Sequence, residues 1–191
     1  MIFNKLHELI SEYAKILQRY ADRYWFAPLI GFLAALDNFV IIIPNEGILI
    51  SSSMVIPKRW FIFALNIAIG STLGALALAA LVEFQGLPFI LKIFPGINET
   101  TLWAMMLKFF ERYGLFFIFV VAITPIAQQP SIILASLANT PFLKLALVIF
   151  LGRSMKFFIL AYAATHAPRL LSKIWGVEKE LKEVGIELKK E

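Results

Sequence analysis

Apolar residues along this chain gather into four long runs, and two of the four are broken near the middle by proline and polar residues. Residues 61–82, FIFALNIAIGSTLGALALAALV, and residues 142–166 read as continuous transmembrane helices, since a bilayer crossing needs roughly 20 apolar residues. Residues 25–56 are interrupted by Asp37-Asn38, by Pro44-Asn45-Glu46-Gly47 and by Ser51-Ser52-Ser53. Residues 115–138 are interrupted by Pro125 and Pro130, which flank Gln128 and Gln129. Proline removes a backbone donor and glycine loosens the chain. Freed backbone groups are tolerated at membrane depth only inside protein or against a wet cavity. Each broken run is therefore predicted to be a re-entrant hairpin, with breaks at Pro44, Gly47, Pro125 and Pro130 and the first tip near residues 44–47. One kinked span followed by a loop is the alternative for the first run.

The segments between the runs are amphipathic. Phe3, Leu6, Ile10, Tyr13, Leu17, Tyr20 and Tyr24 alternate steps of three and four, so residues 1–24 are predicted to form an amphipathic helix. It lies either in the membrane interface or against a soluble partner. Pro57-Lys58-Arg59-Trp60 is a boundary with a helix stop, two cations and an interfacial aromatic. Within 61–82, Asn66, Gly70 and Gly74 recur every four residues and form a predicted helix-packing seam. Residues 83–113 read as an amphipathic arm, with a helix from about 101 to 113 capped by Asn98 or Thr101 and ended by Gly114. Its predicted apolar side holds Leu102, Trp103, Met106, Phe110 and Tyr113. Pro141 opens the last span, and residues 169–191 form an amphipathic, charged tail.

The two halves echo each other. Asp22-Arg23-Tyr24 and Glu111-Arg112-Tyr113 end the amphipathic segments, and Pro57 and Pro141 open the spans that follow the broken runs. This is similarity of pattern rather than a tight repeat. A hairpin returns to its own side. With the N-terminus in the cytoplasm, span 61–82 exits and span 142–166 re-enters, so Lys58, Arg59 and the basic tail all lie inside, as the positive-inside rule requires. The second half is then inverted relative to the first, a pattern that points to a transport-type site at the midplane. The expected fold is all-α and integral to the cell membrane, one membrane domain over residues 1–191, with both termini cytoplasmic.

Composition agrees. Apolar residues make up 60% and charged residues 16% of the 191, against about 45–50% and about 25% in soluble domains. The net charge of +5 comes from basic residues spread over termini and loops, which suits anionic lipid rather than nucleic acid. Cysteine is absent, so there is no disulfide or thiolate chemistry. The charged first twenty residues do not read as a signal peptide. No metal-ligand spacing, nucleophile elbow or phosphate-cradling glycine loop occurs, so no enzyme activity, metal or cofactor is expected.

Arg153 and Lys156 lie one turn apart inside the last span, and each costs roughly 2.5–3.5 kcal/mol at the centre of an isolated membrane helix. They are predicted to face protein or water, with Asp37 and Glu46 as their acidic counterparts. The set is either an ion-pair lock between helices or a site for a lipid phosphate or a proton. The pairing is left open by the sequence.

With these residues in view, the chain resembles the DedA/VTT-domain family of membrane proteins (SNARE-associated Golgi protein-like), in particular its short YqaA-like branch. The resemblance rests on Ile43-Pro44-Asn45-Glu46, Gly70-Ser71-Thr72-Leu73-Gly74, Thr124-Pro125-Ile126 through Ala135, Phe142, and Leu151-Gly152-Arg153 with Lys156, over about residues 30–160. It implies two re-entrant hairpins meeting from opposite sides of the membrane. It implies movement of phospholipids or polyprenyl-phosphate carriers between leaflets, or proton-linked transport. By matched position Glu46 is the hairpin acid, Arg153 the arginine after the glycine and Lys156 a second basic residue; Asp37 is a looser match. The chain departs from the family where Ala122-Ile123 replace an arginine before the second hairpin proline and where Ala135-Ser136 replace a glycine after it.

The leading expectation is a scramblase-like protein in which Glu46, Gln128, Gln129 and Arg153, with Asp37 and Lys156, line the headgroup path. The alternatives are a proton-coupled transporter of an ion or small solute and a non-transporting membrane scaffold. Membrane lipids are the expected partners and protons a candidate coupling ion; no nucleic acid is expected, and a homo-oligomer is left open.

Overall fold

Strongly apolar segments without β-strand alternation fold here as helix. The structure, a computed structural model, describes residues 20–40, 43–93, 95–124 and 128–166, and its regular structure is all-α. In chain order the helices are α1 (Phe26–Val40), α2 (Asn45–Val55), α3 (Trp60–Ile93), α4 (Thr101–Tyr113), α5 (Leu115–Ile123), α6 (Gln129–Leu137) and α7 (Phe142–His166). Most of the predicted helix over 1–24, the predicted tail over 169–191 and Pro125 lie outside the described residues. Among the described residues, two helices are long and apolar enough to cross a membrane, one over Pro57–Gly86 and one over Phe142–His166.

Pro44 and Pro130 both stand at helix starts. Pro44 stands at the N-cap of α2, so Asn45, Glu46 and Gly47 form its first turn, and Ile43 and Pro44 before it are non-helical. Pro130 likewise lies in the first turn of α6, whose N-cap is Gln128, while Thr124 ends α5. The reason is general: the first helical turn has no intrahelical use for a backbone N–H, so proline fits there without loss. Helix α3 also runs past the predicted end at 82. It is interrupted only at Gly86 (φ 71°, ψ 178°), a conformation glycine adopts without steric cost, and it carries Pro88 beyond that point. The N-cap of α4 is Thr100, whose hydroxyl accepts the Trp103 N–H at 3.1 Å, rather than Asn98 or Thr101. Gly114 ends α4 at φ 53°.

The chain divides into two compact units, residues up to Ser71 with those from Ser154 on, and Thr72–Arg153; the division falls inside α3 and α7. In unit 1 the core is built by Phe26, Ile30, Leu49, Ile50, Phe63, Ile67 and Leu160. Gly70 and Gly31 bring α3 and α1 into backbone contact there. A Cβ on Gly31 would stand 2.6 Å from the Asn66 carbonyl oxygen, and a Cβ on Gly70 would overlap the Gly31 carbonyl. The predicted seam thus packs Asn66 and Gly70 against α1, and Gly31 is its unpredicted other half. In unit 2, Leu78, Trp103, Met106, Ile118, Ile132, Ile133 and Leu145 are buried. The inner face of α4 holds Trp103 and Met106, while Leu102 and Tyr113, predicted for the same side, are exposed.

Large apolar side chains also cover the outside. Along α7, Leu143, Leu147, Leu151, Met155 and Ile159 recur every four residues and each is at least half exposed. On α3, Phe61, Ile62, Ile69 and Leu73 are also exposed.

Candidate polar sites at the helix breaks

In unit 1 the break before α2 gathers the acids that the sequence singles out. The Asp37 carboxylate accepts the Ile43 N–H at 3.1 Å and so ties the last turns of α1 to the start of the next segment. Pro44, with no N–H of its own, starts α2 and places Glu46 in its first turn, where a carboxylate is favoured by the exposed amide groups of the helix end. Lys156 on α7 donates to the Glu46 carboxylate at 2.8 Å, and the two side chains are only 10% and 15% exposed. The pair is therefore charge-neutral and largely removed from solvent. Its geometry joins two helices that are far apart in sequence.

Around this break the interior is polar. Asn38 is buried and its amide is shared among the carbonyls of Ala34 (3.1 Å), Ala35 (3.3 Å) and Ser71 (3.2 Å), so it bonds within α1 and reaches across to α3. Asn45, Ser51, Ser52 and Ser53 are also buried. Ser51 donates to the Ile48 carbonyl at 3.1 Å. The hydroxyls of Ser52 and Ser53 meet no hydrogen-bond partner among the described residues.

In unit 2 the break before α6 is the counterpart. Arg153 is 4% exposed, and its Nε donates to Gln128 Oε1 at 2.9 Å. Gln128 in turn donates to the Ala122 carbonyl at 3.4 Å and its own carbonyl accepts from Ser131 at 2.7 Å, which joins the end of α5 to the start of α6. Gly152 makes the approach possible. A Cβ there would lie 2.6 Å from Ala122 Cβ and 3.0 Å from the Phe119 carbonyl oxygen, so a larger residue would push α7 away from α5 and carry Arg153 off Gln128. Gln129 is buried at the first position of α6. Ser136 donates to the Ala79 carbonyl of α3 at 2.6 Å.

Of the charged and amide groups singled out by the sequence, Glu46 meets Lys156, and Arg153 meets the amide of Gln128. Asp37, Glu46, Gln128, Arg153 and Lys156 all stand at or against a helix break, each within its own unit. Gly47 is a buried position of α2, and Gly74 is buried on α3. Asn38, Ser136 and Gly31 were not singled out as site or seam residues. Asn38 and Ser136 are polar side chains inside apolar runs, and Gly31 is a small residue in the run that packs on Gly70.

No protein-family model matches the chain, and no solved structure matches it. It is similar to an uncharacterized protein of Haemophilus influenzae, 25% identical over 178 residues that make up 93% of this chain and 84% of that one.

Proposed function

We propose that this chain is an integral membrane protein of DedA/VTT type that moves phospholipid or polyprenyl-phosphate headgroups between leaflets. The observation that carries the reading is its inverted polarity. Apolar stripes lie outside on α3 and α7, while Asn38, Asn45, Ser51, Gln129, Ser131, Ser136 and Arg153 are buried. A water-soluble chain rarely exposes such contiguous apolar surface, whereas in a bilayer polar side chains turn inward and mark a pathway. In this reading α3 and α7 cross the cell membrane. The α1–α2 and α5–α6 pairs are re-entrant and belong to inverted halves, and both termini are cytoplasmic. In unit 2 the Arg153 fork takes the headgroup phosphate, with the amides of Gln128 and Gln129 beside it. In unit 1 the Glu46–Lys156 pair supplies a second polar place, and the acyl tails stay in lipid.

The test is purified protein in liposomes that contain fluorescent phospholipids, with an impermeant reductant bleaching the outer leaflet. Bleaching beyond the outer-leaflet fraction is expected, and it should fall sharply in Arg153→Gln. No transfer above protein-free liposomes across several headgroups would overturn the proposal. A second reading, proton-coupled transport of an ion or small solute, is favoured by the enclosed Glu46–Lys156 pair. It requires flux that depends steeply on pH and is abolished by Glu46→Gln.

A further inference from the structure

The end of unit 1 carries a different chemistry from its break. Three segments meet there. Arg59, in the turn before α3, donates from Nη1 to the Arg23 carbonyl at 3.1 Å, which holds residues 20–25 against residues 57–60. Trp60, the first residue of α3, stands edge-on to Phe158, Tyr162 and His166 of α7, with ring centroids 6.2, 5.8 and 6.4 Å away. Tyr162 and His166 stack at 4.3 Å. The start of one membrane-length helix is thereby pinned to the last turns of the other, so both helices end at one level.

That level is ringed by amphipathic rings and cations. Tyr24 is 87% exposed, Tyr20 and Trp25 are exposed and lie 5.8 Å apart, and Lys58 is exposed. Across residues 20–25, 57–62 and 158–166 there are three cations, Arg23, Lys58 and Arg59, against one acid, Asp22. Tyrosine and tryptophan settle at headgroup depth because one side of the ring is apolar and the other can hydrogen-bond. Cations held at that depth face the phosphates of an anionic leaflet.

We infer that this end of unit 1 is a binding face for anionic phospholipid headgroups, which selects phosphatidylglycerol-type lipid over zwitterionic lipid and keeps this end on the anionic leaflet. The inference rests on the membrane reading above but not on lipid transfer, because it concerns lipid held at the rim rather than lipid passed through.

The experiment uses the full chain in phosphatidylcholine vesicles doped with spin-labelled phosphatidylglycerol or spin-labelled phosphatidylcholine. It reads the motionally restricted, protein-bound fraction of each label. A preference for phosphatidylglycerol of about fivefold or more is expected from cations near the surface. It should collapse toward parity in Lys58→Gln/Arg59→Gln, persist in Lys108→Gln/Lys144→Gln, and weaken in the unaltered protein at high salt. Equal binding of both lipids would overturn the inference while leaving the membrane reading in place, and so would a preference that survives both the Lys58/Arg59 substitution and salt. Absence of any restricted fraction with either label would overturn the membrane reading itself. The salt series needs no variant, so a misfolded double variant would still leave a deciding result.

Discussion

Glu46 and Lys156 are 110 positions apart in sequence and 2.8 Å apart in space. The sequence marked both as costly residues for an apolar run, and that much follows from the penalty of an embedded charge. It could not choose between Lys156 and Arg153 as the partner of Glu46, because one helical turn separates them and only the packing of α2 against α7 decides. Removing one member of such an enclosed pair strands the other charge, so Glu46→Gln should cost about 3–5 kcal/mol, read by denaturant titration in detergent. The swap Glu46→Lys/Lys156→Glu should restore most of that stability without restoring lipid transfer. Recovery of both would make the pair a structural lock with no direct part in transfer. Arg153 also makes a bond of a different kind, its Nε donating to the neutral Gln128 amide at 2.9 Å. Arg153→Lys keeps the charge but loses the Nε donor and the planar fork, and should cost about 1.5–3 kcal/mol, the range for a hydrogen bond to a charged group.

At the scale of elements, the readable signals were those with a local cause. Helix α7 occupies the 142–166 range that Pro141 and apolar continuity predict, and α4 covers 101–113 before Gly114. The misplaced features were those where a local signal has two meanings. Proline reads as a breaker, yet Pro44 and Pro130 both open helices, so Glu46 and Gln129 end up in first turns rather than in loops. Thr100 caps α4 by the ordinary threonine bond, one residue before the Thr101 that the sequence offers. Thr100→Ala should destabilise α4 by about 1 kcal/mol, visible as faster amide exchange at Trp103, and unchanged exchange would contradict the cap. Gly70 is the more severe test of packing. Its hydrogen faces the Gly31 carbonyl, so Gly70→Leu must force α3 from α1 and should cost about 1–3 kcal/mol or more by overpacking. Leu73→Ala, on the exposed side of the same helix, should change stability far less.

For the whole molecule, the composition of the sequence foretold an apolar surface, and the structure adds where the polar groups go. The exposed stripe of Leu143, Leu147, Leu151, Met155 and Ile159 and the buried Asn38, Gln129 and Arg153 reverse the usual order of a soluble fold. Which polar side chain sits at which break was beyond the sequence, because it depends on contacts between helices distant along the chain. The central claim is that the two breaks are wet places within a lipid-facing protein. Because the chain has no cysteine, single cysteines can be placed without removing any. The most direct measurement is labelling of Ile43→Cys, Thr124→Cys, Leu73→Cys and Leu147→Cys by a membrane-impermeant maleimide in proteoliposomes. Reaction at 43 and 124 with protection at 73 and 147 is the expected result. Protection at both breaks, or ready labelling at 73 and 147, would contradict it.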